Sequence, residues 1–211
     1  MRAPRSSSTE QTVAELAEHA SDSRWIFGYN EPETHMDPRE AAHFWPDAEL
    51  LAATFSFRLT SPCMVNYDTR AKKWLRTFVD TFVEHNFRAP RFDVMCLHLY
   101  LWQSDAAQST MMARIEEMAA DYGRLVWVNE WSCPPWEGCG EDLQMEQMRR
   151  TLPLFAASPL VFRFAWFDAR DRKPGISACN LLEADNSTKT PLGELYDSYS
   201  LRDEDAIAPS R

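Results

Sequence analysis

The sequence predicts an α/β fold of the (β/α)8 barrel type, in which helices cover a parallel sheet. Apolar strand segments and amphipathic helix segments alternate along the chain, which is the pattern typical of such sheets. Five predicted strands end roughly 30 to 40 residues apart, which is the length of one βα unit. Functional residues of these barrels gather at the carboxyl ends of the strands, so the residues that follow each strand are the candidates for function.

The first predicted elements are a short helix and a strand that ends in a polar turn. Thr12 and Glu15 form a capping box at the start of the helix. The strand WIFGYN covers residues 25–30 and ends at the turn NEPE. Asp37, which precedes a proline, marks the start of the next helix, and we expect Pro46 to interrupt or restart that helix.

The later elements alternate between strand and helix. They are predicted as a strand at 55–61 that ends at Pro62, a helix at 71–86, a strand at 92–100, a helix at 107–122, a strand at 125–131, a helix at roughly 141–156 and a strand at 161–167. We expect one domain over residues 1–201 and a disordered tail over residues 202–211.

Composition argues against several classes of function. The chain has 32 acidic and 22 basic residues, and its net charge of -10 would repel a phosphate backbone, so we expect no nucleic-acid partner. It lacks an apolar run of about 18 residues, so we expect no membrane span. The cysteines and histidines lack zinc-site spacing, and we expect neither a metal nor a cofactor. The sequence does not indicate the oligomeric state.

The five cysteines allow two interpretations. Cys133 and Cys139 bracket the loop CPPWEGC and could form a disulfide in an oxidising compartment. Five scattered and mostly buried thiols are the alternative. Because the total is odd, at least one thiol stays free in either case.

Two glutamates, Glu31 and Glu130, occupy equivalent positions just after apolar strands. In one barrel, both positions would open to the same mouth. Glycoside hydrolysis requires such a pair, because one carboxylic acid protonates the leaving oxygen while a second carboxylate attacks the anomeric carbon or activates water. A glutamate after a strand can also cap the next helix or pair with an arginine, so position alone leaves both interpretations open.

Six short motifs follow one another along the chain from about Trp25 to Tyr196. They are WIFGYNEPE, SPC, FDVMCLHLY, VWVNEWSC, FRFAWF and LLEADNSTKTPLGELY. In this order they resemble glycoside hydrolase family 128, which contains the Asl1-like glycosyl hydrolase catalytic core and belongs to a clan of retaining barrel enzymes. The resemblance implies an endo-glucanase that cleaves β-1,3-glucan, a polysaccharide or oligosaccharide substrate, and an extracellular or cell-wall location. We recognise no secretory signal in the printed residues.

The resemblance also implies roles for the residues around the two glutamates. Glu31 in NEP would be the acid/base, and Glu130 in VNEW would be the nucleophile. Asn30 would hydrogen-bond the sugar 2-hydroxyl, an interaction that strengthens in the transition state. An ordinary turn is the alternative for Asn30.

Aromatic side chains and a histidine are further candidates for the substrate groove. Tyr100 would orient the nucleophile through a hydrogen bond, and His98 would line the same floor unless it is an ordinary core histidine. Trp166 would offer a flat face to a pyranose ring, with burial in the core as its alternative. Trp131 and Trp136 flank the nucleophile and are further candidates for contact with the glycan.

The resemblance places Glu31 after the fourth strand of the barrel, so the five strands would be strands four to eight. Three preceding βα units need about 100 of the about 250 residues of a complete barrel, whereas 24 residues precede Trp25. We therefore expect an incomplete barrel that lacks its first three βα units. A catalytically inactive fragment or carbohydrate-binding remnant is the competing hypothesis. An inverting enzyme would differ in its carboxyl separation, about 6.5 to 9.5 Å instead of about 5 to 5.5 Å.

Overall fold

The structure, a computed structural model, describes residues 24–170 and 177–199. The helix predicted from Thr12 and the tail predicted from residue 202 lie outside the described residues. Five strands and five α-helices alternate within the described part. They are β1 (Trp25–Ile26), α1 (Pro38–Thr54), β2 (Arg58–Val65), α2 (Thr69–Asn86), β3 (Val94–Tyr100), α3 (Ala107–Tyr122), β4 (Val126–Ser132), α4 (Glu141–Ala157), β5 (Val161–Trp166) and α5 (Pro191–Asp197).

The five strands are hydrogen-bonded neighbours in chain order, from β1 to β5. β1 pairs with β2 in parallel, and β4 pairs with β5 in parallel. The predicted α/β class with parallel strands is thereby confirmed. The absence of three preceding βα units stays a prediction. Among the described residues, no helix combines the length and the apolar character needed to cross a bilayer.

The chain divides into two compact units within β3, the first ending at Cys96 and the second beginning at Leu97. Each unit has its own buried apolar residues, as the predicted helix faces required. The extent of the catalytic domain, residues 1–201, stays a prediction.

In the first unit, α1 begins as predicted but does not stop at its internal proline. Asp37 accepts hydrogen bonds from the backbone N–H groups of Arg39 and Glu40, which caps the helix. The prediction that Pro46 interrupts this helix is wrong, because α1 continues to Thr54. The proline costs one backbone hydrogen bond. The adjacent Trp45 is fully buried in an aromatic cluster, and this packing offsets the local cost.

The prediction that the second strand ends at Pro62 is also wrong, because β2 runs through this residue to Val65. On the side of β1, Cys63 donates to the carbonyl of Tyr29 and accepts from the N–H of Glu31. Pro62 has no N–H to offer a neighbouring strand. Pairing continues on both sides of the proline, because Cys63 bonds to the segment after β1 and the Ser61 hydroxyl accepts a hydrogen bond from the N–H of Cys96 in β3 at 2.9 Å.

In the second unit, the predicted elements from α3 to β5 are observed within one or two residues of their predicted ends. The short helix α5 was not predicted. It begins after Thr190, whose hydroxyl accepts from the N–H of Gly193 at 3.0 Å, with Pro191 at its first position. A Cβ at Gly193 would lie 2.0 Å from the carbonyl oxygen of Leu181, so only glycine fits this close approach.

Candidate active site

Backbone interactions in the first unit determine the position of Glu31. Its N–H donates to the carbonyl of Cys63 at 2.9 Å, which continues the pairing with β2 beyond the short strand β1. Its backbone adopts the left-handed conformation, with φ 46° and ψ 44°. Its carbonyl accepts hydrogen bonds from both the N–H and the hydroxyl of Thr34, at 3.0 and 2.7 Å. Glu31 is therefore held in a tight turn, with its side chain half-buried.

The segment before Glu31 depends on a glycine. The N–H of Gly28 donates to the hydroxyl of Thr60 at 3.0 Å. A Cβ at Gly28 would lie 2.7 Å from the carbonyl oxygen of Ser61, which a real Cβ does not tolerate. This close approach lets residues 28–31 run beside β2. Asn30 forms a parallel bridge with Cys63, and its side chain is exposed.

Tyr29 and Glu33 fix the two sides of this turn. The Tyr29 hydroxyl donates to the carbonyl of Ala41 at 3.3 Å. Burial, and secondly the charge of Asp47, raise the pKa of Tyr29 to about 12, so the phenol keeps its proton at neutral pH. The buried carboxylate of Glu33 accepts from the N–H of Val65 at 2.5 Å. Glu33 in NEPE is therefore an anchor between the turn and β2.

Side chains of β3 hold the carboxylate of Glu130 in the second unit. The hydroxyl of Tyr100 donates a hydrogen bond to Glu130 Oε2. The Nδ1 atom of His98 lies 3.4 Å from the same oxygen. His98 and Tyr100 are two residues apart on one strand, so their side chains leave the same face of the sheet. The Glu130 side chain is 25% exposed, whereas the His98 side chain is fully buried.

The structure therefore brings together three of the predicted residues, His98, Tyr100 and Glu130. For His98 the two interpretations from the sequence are compatible, because it is buried and also lies beside the carboxylate. Glu31 and Asn30 lie together in the first unit. The separation of the two glutamate carboxyl groups stays a prediction.

Two of the predicted tryptophans are packed inside the second unit. Trp131 is 0% exposed and Trp166 is 6% exposed, and their rings meet edge to face at 4.5 Å. The indole N–H of Trp166 donates to the carbonyl of Cys179 at 2.8 Å. Burial leaves these rings little free surface, although their contact with substrate stays a prediction. Trp136, by contrast, is 55% exposed.

The loop that carries Trp136 is fixed at both ends by one disulfide. Cys133 and Cys139 are bonded, which confirms the pairing that the sequence allowed. Cys63 and Cys96 form a second disulfide, between β2 and β3, so the interpretation as five free thiols is wrong. The remaining cysteine, Cys179, takes part in neither disulfide and is buried. Sequence reasoning missed the second bond because the two cysteines are 33 residues apart and become neighbours only through strand pairing.

Two further residues of the site were not predicted. The ring of Phe167, directly after β5, meets the Tyr100 ring edge to face at 5.8 Å. The fully buried side chain of Gln144 on α4 binds the backbone on both sides of the disulfide loop. Gln144 belongs to no recognisable functional motif, so its role could not be predicted from the sequence. Phe167 stood in the FRFAWF motif and could have been considered with Trp166.

Comparisons with known proteins identify the family to which the chain belongs. The model of the glycosyl hydrolase catalytic core family matches residues 4–196. An endo-β-1,3-glucanase of glycoside hydrolase family 128, subgroup II, from Pseudomonas viridiflava is 27% identical with a TM-score of 0.73, over 92% of this chain and 76% of that chain. None of the curated proteins matches the sequence.

Two other solved structures share the fold at lower identity. A subgroup I endo-β-1,3-glucanase from Amycolatopsis mediterranei, in complex with laminaritriose, is 20% identical with a TM-score of 0.70, over 89% of this chain and 78% of that chain. A subgroup III curdlan-specific exo-β-1,3-glucanase from Blastomyces gilchristii, in complex with glucose, is 22% identical with a TM-score of 0.70. The match covers 94% of this chain and 80% of that chain. The predicted resemblance to glycoside hydrolase family 128 is confirmed.

Proposed function

Because the chain belongs to the glycosyl hydrolase catalytic core family, we propose that it hydrolyses β-1,3-glucan with retention of configuration. The similar structures from Pseudomonas viridiflava and Amycolatopsis mediterranei are endo-β-1,3-glucanases. Within this chain, the observation that supports the proposal best is the carboxylate of Glu130, which is partly open to solvent and accepts a hydrogen bond from Tyr100.

The proposed reaction has two displacement steps. In the first, a carboxylate oxygen of Glu130 attacks the anomeric carbon, the glycosidic bond breaks, and Glu31 gives its proton to the departing oxygen. In the second, Glu31 takes a proton from water, the water oxygen attacks the anomeric carbon, and the bond to Glu130 breaks. Both glutamates return to their starting states, so no cofactor is consumed.

Tyr100 and His98 orient the nucleophile in this proposal. Both groups face Glu130 Oε2, so they restrain the position of that oxygen and the rotation of the carboxylate. A fixed nucleophile loses less freedom on reaching the transition state than a freely rotating one. Asn30, exposed beside Glu31, is the proposed partner of the sugar 2-hydroxyl.

The proposal predicts that the purified chain releases reducing ends from laminarin, a β-1,3-glucan. Glu130→Gln should abolish this release, because an amide is a poor nucleophile. Glu84→Gln is the matched control, since it makes the same change at an exposed position on α2 and should leave the rate unchanged. Binding of laminarin without any hydrolysis would contradict the proposal and favour a carbohydrate-binding remnant.

A further inference from the structure

Trp136 differs from the other tryptophans considered for the site in being open to solvent. Its side chain is 55% exposed, whereas Trp131 and Trp166 are buried. Its ring nevertheless contacts the site, because it meets the Tyr100 ring edge to face at a centroid distance of 4.8 Å. Tyr100 in turn donates its hydroxyl to Glu130. The exposed indole therefore contacts the residue that binds the proposed nucleophile.

The backbone around Trp136 is strongly constrained. The disulfide between Cys133 and Cys139 closes the loop. The amide of Gln144 accepts from the N–H of Cys133 at 3.1 Å and donates to the carbonyls of Cys133 and Cys139 at 2.6 and 3.3 Å. Gly138 turns the chain with φ 88°, a conformation that favours glycine.

An exposed indole on a constrained loop suits the recognition of a sugar. A pyranose has an apolar face of C–H groups, and a tryptophan offers the largest flat apolar surface of any side chain. A ring that is already fixed loses little conformational entropy on binding, so more of the contact energy appears as affinity.

We propose that the disulfide-closed loop 133–139 presents Trp136 as a stacking platform for a glucosyl ring bound next to Glu130. This inference rests on the proposed function and adds a binding residue to it. A competing role is structural: Trp136 could support the Tyr100 ring and thereby only orient Glu130. The two roles differ in their kinetic effect, because a platform changes substrate affinity whereas a support changes the chemical step.

The test measures binding of laminaripentaose by calorimetry in the Glu130→Gln background, where hydrolysis does not interfere. Trp136→Ala should raise the dissociation constant about 30-fold, the size of effect typical of a tryptophan at the centre of an interface. Trp136→Phe should recover most of the affinity, because it keeps a flat ring. The control is Phe44→Ala, which removes a ring of similar exposure, 51%, from α1 and should leave the dissociation constant unchanged.

Kinetics of the Trp136→Ala variant with Glu130 intact separate the possible outcomes. A raised KM with a nearly unchanged kcat supports the platform. An unchanged dissociation constant together with a lower kcat overturns it in favour of the structural role. Affinity that depends on Trp136 in a chain without hydrolysis would support the platform and contradict the proposed function. Absence of both binding and hydrolysis would overturn both.

Discussion

The two candidate carboxylates are held in different ways. Glu31 is placed by its backbone, through pairing with Cys63, a left-handed conformation and the close approach of Gly28 to β2. Glu130 lies within β4, and the side chains of Tyr100 and His98 hold its carboxylate. This difference indicates which kind of mutation should perturb each carboxylate. Changes to neighbouring side chains should alter the chemistry of Glu130, whereas changes to the backbone should move Glu31.

The largest effect is expected from Glu130→Gln. Loss of a nucleophile typically lowers turnover by several orders of magnitude, and the change preserves side-chain volume in a site that is partly open. Laminarin hydrolysis measures the rate, and thermal unfolding checks that the fold is intact. Turnover close to that of the unaltered chain would remove Glu130 from the proposed mechanism.

Glu31→Gln should lower laminarin turnover by about 10²- to 10⁴-fold, the contribution of general acid–base catalysis. Its effect should depend on the leaving group, because a nitrophenolate departs without a proton. We expect the first step to be nearly normal with a nitrophenyl laminaribioside, measured as a burst of nitrophenol. An equal loss of that burst in both glutamate variants would show that Glu31 does not act as the acid.

Tyr100→Phe should lower kcat about 10- to 100-fold, because it removes a hydrogen bond to a charged group. Tyr196→Phe provides the control, since it removes a hydroxyl that donates to the carbonyl of Phe164 at 3.2 Å in the same unit. The control should cost about 1 kcal/mol of unfolding free energy and leave kcat unchanged. Equal kcat values in the two variants would show that Tyr100 does not orient the nucleophile.

The smallest effect on turnover is expected from Gly28→Ala, which alters no titratable side chain. Gly28→Ala places a Cβ 2.7 Å from the carbonyl oxygen of Ser61, and overpacking of this kind costs about 1 to 3 kcal/mol. Because Gly28 lies in the segment that places Glu31, kcat should also fall severalfold. Gly140→Ala is the control, since nothing lies within 4 Å of its added Cβ. If denaturant unfolding shows equal stability for the two variants, backbone placement of Glu31 is not the constraint proposed here.

The sequence predicted most of the sheet and helices because the periodicity of apolar residues indicates which face of each element is buried. Tertiary packing keeps these faces buried in the folded chain. It failed at Pro46 and Pro62, where local preference predicts a break, but α1 continues beside an aromatic cluster and β2 keeps its pairing on both sides of the proline. It also could not pair Cys63 with Cys96, because that bond depends on which strands become neighbours.

The candidate site was predictable to different degrees. The spacing of His98 and Tyr100 on one strand was visible in the sequence, and the structure places both beside Glu130. The exposure of each tryptophan was not visible, because an indole is equally suited to a core and to a sugar-binding surface. The structure buries Trp166 and exposes Trp136, and that difference carries the inference about the substrate platform.

The anomeric configuration of the first product tests the central claim most directly. Proton NMR of the chain acting on laminaripentaose distinguishes the anomers before mutarotation mixes them. A retaining mechanism through Glu31 and Glu130 predicts that the β anomer appears first and the α anomer only later. Initial release of the α anomer, which an inverting mechanism produces, would contradict the double displacement assigned to these two glutamates.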